Sequence, residues 1–260
     1  MATSLQIPVE AVRLDHNIKW RFSYMFNKNK LAMLVGEFLG TGALALAVLS
    51  VSKSIGYPFF VSFAAGLVVL LMTLALAGIS GAIFNPAMTI GLWTVRKLKT
   101  LQALMYLAAQ LLGGAAAYWL FVYFTKAHLT NNHHYDSHVL VAESVGAFVF
   151  AFGWAAAVYQ RFSLYAKAAA IGGSLTAGVI IASLGSNGFL NPAVALAARN
   201  WAWGTYVLGP VLGAIVGFNL YNLLFVETEL AEAKVARASA SKAVKAKPAA
   251  KKKAPAKKRK

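Results

Sequence analysis

Residues 82–95 read AIFNPAMTIGLWTV, and residues 188–200 read GFLNPAVALAARN. Both stretches are apolar, yet both are too short to cross a bilayer, which takes about 20 residues of helix. Each carries a proline directly after an asparagine, Asn85-Pro86 and Asn191-Pro192. Proline suits the first turn of a helix, where its missing N–H is no loss, and asparagine suits the cap before it. The pattern predicts two half-helices that begin inside a membrane. Irregular backbone at that depth is tolerated only when it is buried in protein or lines a cavity.

The surrounding chain supplies the membrane. Apolar runs at 31–51, 57–79, 100–125, 139–159, 166–185 and 204–226 are long enough to span it, and a backbone crossing lipid must be helical to satisfy its own hydrogen bonds. Of 260 residues, 59% are hydrophobic and 13% charged, whereas soluble domains carry about 25% charged residues. That composition argues against a soluble enzyme and against a disordered chain. Cysteine is absent, so disulfides, thiolate metal sites and a cysteine nucleophile are excluded. No phosphate loop, no metal-spaced histidines within the spans and no triad point to an enzyme, and no cofactor is implied. The first apolar run is too long for a signal-peptide core and follows a polar 30-residue segment, so no signal peptide is expected.

Lysine and arginine give the orientation. Residues 1–30 hold Arg13, Lys19, Arg21, Lys28 and Lys30; Arg96, Lys97 and Lys99 precede the third span, and Arg161 and Lys167 lie between the fourth and fifth. Twelve more follow residue 226, while the opposite side keeps Lys53, Lys126 and Arg199. The positive-inside rule then places both termini in the cytoplasm.

The halves repeat. Asn85-Pro86-Ala87 returns as Asn191-Pro192-Ala193, and Glu37-x-x-Gly40 returns as Glu143-x-x-Gly146, both at an offset of 106. Each copy, about 31–125 and 139–226, holds three spans and one half-helix. Three is odd, so the second copy inserts upside down, related to the first by a pseudo-two-fold axis in the membrane plane. The half-helices enter from opposite faces and their N-termini meet, each carrying about half an elementary positive charge. The oxygens of Asn85 and Asn191 can cap these helices while their amide N–H groups donate into a pore. A ligand oxygen held there accepts both N–H groups, and the positive field opposes cations.

Ser80-Gly81-Ala82-x-x-Asn85-Pro86-Ala87-x-Thr89 and Asn191-Pro192-Ala193 resemble the two signatures of the aquaporin and glycerol-facilitator family, the major intrinsic proteins. Glu37, Gln110, Glu143 and Gly209-Pro210 add to the resemblance, which covers roughly 31–226. It implies an all-α membrane protein with six transmembrane helices and two re-entrant half-helices. It also implies a passive channel for water or small neutral solutes such as glycerol, and a homotetramer with one pore per subunit. The chain then divides into a cytoplasmic segment 1–30, a channel domain 31–226 and a basic tail 227–260. The rival class is a secondary transporter, which also uses inverted repeats and broken helices. Such a carrier needs ionisable groups at mid-membrane, and Glu37 and Glu143 are the acids in the spans. They suit a proton relay, but the resemblance implies instead that each carboxylate accepts backbone N–H groups of the loop entering its half-helix, with Gln110 making a similar backbone contact.

The resemblance also locates a selectivity filter at Ala65, Val179, Gly188 and Val194. The family carries arginine at the Val194 position, and water-selective members carry an aromatic and a histidine at the helix positions. Glycerol facilitators follow the arginine with aspartate, where this chain has Ala195, and Ile83 replaces the usual histidine of the first loop. The filter is therefore expected to be wide and apolar. Arg199 is five residues past Val194, about half a turn off its face, and is expected at the extracellular rim.

Three features stand apart. Gly36 and Gly40, and the Gly209, Gly213, Gly217 ridge, suit close helix packing. His128, His133, His134, Asp136 and His138 crowd one connection, but without a frame to fix their spacing they read as a solvated extracellular loop and not a metal site. The lysine-rich tail has little to bury and self-repels, so it reads as disordered. It attracts anionic lipid, and its charge offers nucleic acid only a non-specific contact.

Overall fold

The computed structural model describes residues 28–226. Nearly all of the predicted N-terminal segment and the whole predicted tail lie outside the described residues. The order is α1 (Lys28–Ser54), α2 (Pro58–Leu76), α3 (Pro86–Thr94), α4 (Thr100–Thr125), α5 (Ser137–Tyr159), α6 (Leu164–Ala182), α7 (Pro192–Ala197) and α8 (Gly204–Val226), whose first turn, Gly204–Leu208, is wound in wide π fashion. Six of the eight are long and apolar enough to cross a membrane. Large apolar residues such as Leu104, Leu112, Trp119 and Phe124 remain exposed. An apolar exterior of that extent needs lipid or another chain against it.

Local chemistry sets the ends. Pro58, Pro86 and Pro192 open α2, α3 and α7, and Asp136 caps α5 by accepting from the His138 and Val139 N–H groups at 2.7 and 3.3 Å. The half-helices are shorter than the apolar stretches suggested, because 82–85 and 188–191 form loop and not helix.

Packing follows the repeat. α1 lies along α4, α5 along α6, and α2 crosses α6. At that crossing Gly66 and Gly172, themselves 106 apart, face each other: a Cβ at Gly66 would fall 2.6 Å from the Gly172 carbonyl oxygen, and one at Gly172 equally close to that of Gly66. The Gly209, Gly213, Gly217 ridge presses on the backbone of Leu140, Ser144 and Phe148 in α5, close packing as expected of small residues. The half-helices are exchanged between repeats: α7 packs on α1 and α4, and Gly91 of α3 meets Ala214 and Phe218 of α8.

Candidate functional site

The loop into each half-helix turns through left-handed backbone, and not at glycine alone. Ala82 and Phe84 have φ of 59° and 54°, and their counterparts Gly188 and Leu190 have 64° and 50°. Left-handed backbone at a residue with a Cβ costs about 1–2 kcal/mol, so something must hold it. In the first loop Glu37 accepts the N–H of Ile83 at 3.0 Å and of Phe84 at 2.7 Å. In the second, Glu143 accepts the N–H of Phe189 at 2.9 Å and of Leu190 at 2.6 Å. A hydrogen bond contributes about 0.5–1.5 kcal/mol net, so the pair in each loop offsets much of the strain. A serine precedes each turn, Ser80 accepting from the Ala82 N–H at 3.1 Å and Ser186 from Gly188 at 2.8 Å.

The glycine of Glu-x-x-Gly acts on the same residue as the glutamate. A Cβ at Gly40 would overlap the Phe84 ring, and one at Gly146 would fall 2.7 Å from Leu190 Cδ2. One turn of helix thus supplies an acceptor for the residue's N–H and a space for its side chain. Phe84 and Leu190 are both fully buried. Sequence reasoning passed over them, although each precedes its asparagine at the shared offset.

The asparagines come together at the centre. Asn85 Oδ1 accepts from the Ala87 and Met88 N–H groups at 2.8 and 3.3 Å, and Asn191 Oδ1 from Ala193 at 3.0 Å. Asn85 Nδ2 donates to the Leu190 carbonyl, and Asn191 Nδ2 to the Phe84 carbonyl, both at 2.9 Å. Each amide therefore commits one hydrogen to the opposite loop, where the sequence suggested both face a pore; the second hydrogen is left over.

A cavity of about 440 Å³ opens at the end holding Lys53 and Pro58 and extends to Asn191. Ala65, Val179, Gly188 and Val194 all line it, with Leu44, Val48 and Leu175 among the other wall residues. Arg199 does not. Its guanidinium sits over the Tyr118 and Trp201 rings at 4.9 and 5.0 Å, distances at which aromatic faces attract cations. Its backbone, at φ 62°, ends α7: the Arg199 N–H donates to Leu196 and that of Asn200 to Ala195. Arg96 and Lys97 end α3 the same way, but three residues further along, so α7 is one turn shorter.

Gln110 departs from expectation. It makes no backbone contact and instead donates to Glu37 Oε2 at 2.7 Å while pairing with Thr89 Oγ1 at 2.9 Å. The histidine-bearing connection is tied down by contacts that its composition did not announce: Asn131 accepts from the Trp201 indole at 3.0 Å, and the Asp136 N–H donates to Thr205 Oγ1 at 3.2 Å. Asn132 and Asn200 pair through side chains at 3.1 Å, and the Trp201 N–H donates to the Asn132 carbonyl at 2.6 Å. Among the described residues, no three His, Cys, Asp or Glu side chains gather closely enough to hold a metal ion.

Known proteins match this architecture. Residues 24–221 match the family described as major intrinsic protein. Aquaporin Z of Photorhabdus laumondii is 32% identical over 229 residues, covering 76% of this chain and 97% of that protein. Aquaporin NIP1-1 of Oryza sativa subsp. japonica is 31% identical over 223 residues, covering 78% and 76%. The solved aquaglyceroporin from Plasmodium falciparum shares the fold, with a TM-score of 0.65 at 21% identity over 76% of this chain and 98% of that one. With its inverted repeat and paired asparagine-capped half-helices, this chain belongs to the major intrinsic protein family.

Proposed function

We propose that the protein is a passive transmembrane channel for water and small neutral solutes such as glycerol. The observation that carries this reading is the reciprocal pair of bonds from Asn85 to Leu190 and from Asn191 to Phe84. It holds two positive helix ends at one point, where each asparagine keeps an N–H for a passing oxygen and the field repels cations. The path runs from the outer cavity, past Ala65, Val179, Gly188 and Val194, to this pair. Without a filter arginine, that outer ring offers little positive charge and little bulk.

Glu37 and Glu143 serve as loop supports. Both carboxylates are occupied by backbone N–H groups, which speaks for a fixed channel over a proton-coupled carrier. Family likeness supports a homotetramer with a pore in each subunit, and the basic residues support cytoplasmic termini in a cell membrane. The tail is assigned to anionic lipid.

Stopped-flow light scattering on proteoliposomes tests the reading. Osmotic shrinkage and glycerol entry are expected to accelerate without saturation. Saturable, ion-dependent uptake would favour the carrier.

A further inference from the structure

The pseudo-two-fold axis maps the outer ring onto a second one. At the offset of 106, Val179, Gly188, Val194 and Ala65 correspond to Thr73, Ala82, Met88 and Ile171. All four counterparts are 0% exposed. Two of these counterparts lie on helix faces that also carry outer-ring residues. Ala65, Val69 and Thr73 follow one another at four-residue steps along the buried side of α2. Ile171 continues the line of Val179 and Leu175 on α6. Three members are bulkier than their outer counterparts, and Thr73 matches the shape of Val179 while adding a hydroxyl.

That hydroxyl is unusual within this fold. Helical threonines commonly return Oγ1 to the carbonyl four residues back, and Thr89, Thr125 and Thr176 do so at 2.9, 2.8 and 3.1 Å. Thr73 Oγ1 is buried and makes no hydrogen bond. Thr41 shares that condition, but its repeat counterpart, Ala147, is not among the cavity-lining residues, whereas the counterpart of Thr73 is. A buried hydroxyl without a protein partner is a site for a ligand that brings its own hydrogen bond.

We propose that the inner ring of Thr73, Ala82, Met88 and Ile171 is the constriction that sorts permeants, with Thr73 Oγ1 as its hydrogen-bonding group. This rests on the channel reading. Met88 and Ile171 set the width, and Thr73 replaces one hydrogen bond of a water, an alcohol or an amide as it moves on from the asparagine pair. Selection by size thus passes from the wide outer ring to the inner one.

The test compares water, glycerol and urea fluxes in proteoliposomes for wild type, Thr73→Val, Thr73→Ser and Met88→Ala at equal protein density, with assembly checked by size exclusion. Thr73→Val is expected to slow all three on the order of fivefold, as one lost hydrogen bond implies. Thr73→Ser should retain more flux than Thr73→Val. Met88→Ala should raise the glycerol-to-water ratio, and it reads the ring even if Thr73→Val does not assemble. Wild-type flux with a ratio unmoved by Met88→Ala and rates unmoved by Thr73→Val would overturn the ring alone. An inert wild type would overturn the channel reading, and this proposal with it.

Discussion

In the first repeat, Glu37 takes the Ile83 and Phe84 N–H groups and also the side chain of Gln110, which reaches on to Thr89. In the second, Glu143 takes the Phe189 and Leu190 N–H groups and the hydroxyl of Ser186 at 2.9 Å. The counterparts of Gln110 and Thr89 are Val216 and Ala195, which can make no such bonds. Ser80 bonds Glu37 as Ser186 bonds Glu143, so the serine is common to both turns and the Gln110–Thr89 pair is what the first repeat adds. What both share is what the backbone demands: an acceptor for two successive N–H groups, the second from the left-handed residue, and a missing Cβ beside that residue. What lies behind the carboxylate is free to differ. The half-helices diverge likewise, α7 ending a turn early where Asn200 meets the Asn132 loop.

The largest difference between halves is expected at the glycines. Gly40→Ala sets a methyl into the Phe84 ring, a side chain, while Gly146→Ala meets the Gly178 carbonyl oxygen at 2.6 Å and the Ala182 Cβ at 2.8 Å as well as Leu190 Cδ2. Overpacking costs about 1–3 kcal/mol, with Gly146→Ala at the upper end because a backbone carbonyl cannot swing aside and Gly40→Ala below it, as read by thermal unfolding in detergent. Adding Phe84→Leu to Gly40→Ala should restore part of the loss. If it restores nothing, the glycine does not serve the Phe84 side chain.

Glu143→Gln comes next. Glutamine keeps one acceptor oxygen and turns an NH2 toward a backbone N–H, leaving that group unpaired at about 1–3 kcal/mol. Glu37→Gln should cost less, because Gln110 can reverse its amide and accept the new donor. Equal losses would show that Gln110 gives no such relief. Replacing Gln110 with methionine should cost about 1 kcal/mol. It should be non-additive with Glu37→Gln and additive with Glu143→Gln, since coupling is confined to groups in contact. Coupling to Glu143 would erase the distinction between the halves.

Much of this organisation is written locally. Span positions follow from hydropathy, and their ends move by only a few residues; α2 stops at Leu76, short of the apolar run to 79, where the chain must turn inward. Asn-Pro marks the half-helix starts because capping is a matter of neighbouring residues. Phe84 and Leu190 were illegible as left-handed residues, since nothing in a phenylalanine or a leucine requests that conformation. Only Glu37 and Glu143, 47 residues away in sequence, make it stable. The serines at 80 and 186 stand at the repeat offset and carried a signal that the longer motif obscured. Gln110 chose side-chain partners over backbone because Thr89 lies across from it, a juxtaposition set by packing.

The smallest effect on stability, but a clear one on selection, is expected from Val194→Arg. The cavity of about 440 Å³ beside Val194 leaves room for the side chain, and a guanidinium there narrows the path and adds fixed positive charge. Glycerol and urea should slow more than water. An unchanged water-to-glycerol ratio would show that Val194 does not bound the permeant path.

The most direct test of the central claim, that the two repeats meet to form one passive path, is the temperature dependence of osmotic shrinkage in proteoliposomes. Wild type should shrink faster than protein-free vesicles, with an activation energy well below that of the bare bilayer and a rate linear in the osmotic gradient. Replacing both Asn85 and Asn191 with alanine should abolish that excess while assembly is retained. Wild-type vesicles that shrink with the bilayer's own activation energy would contradict the account.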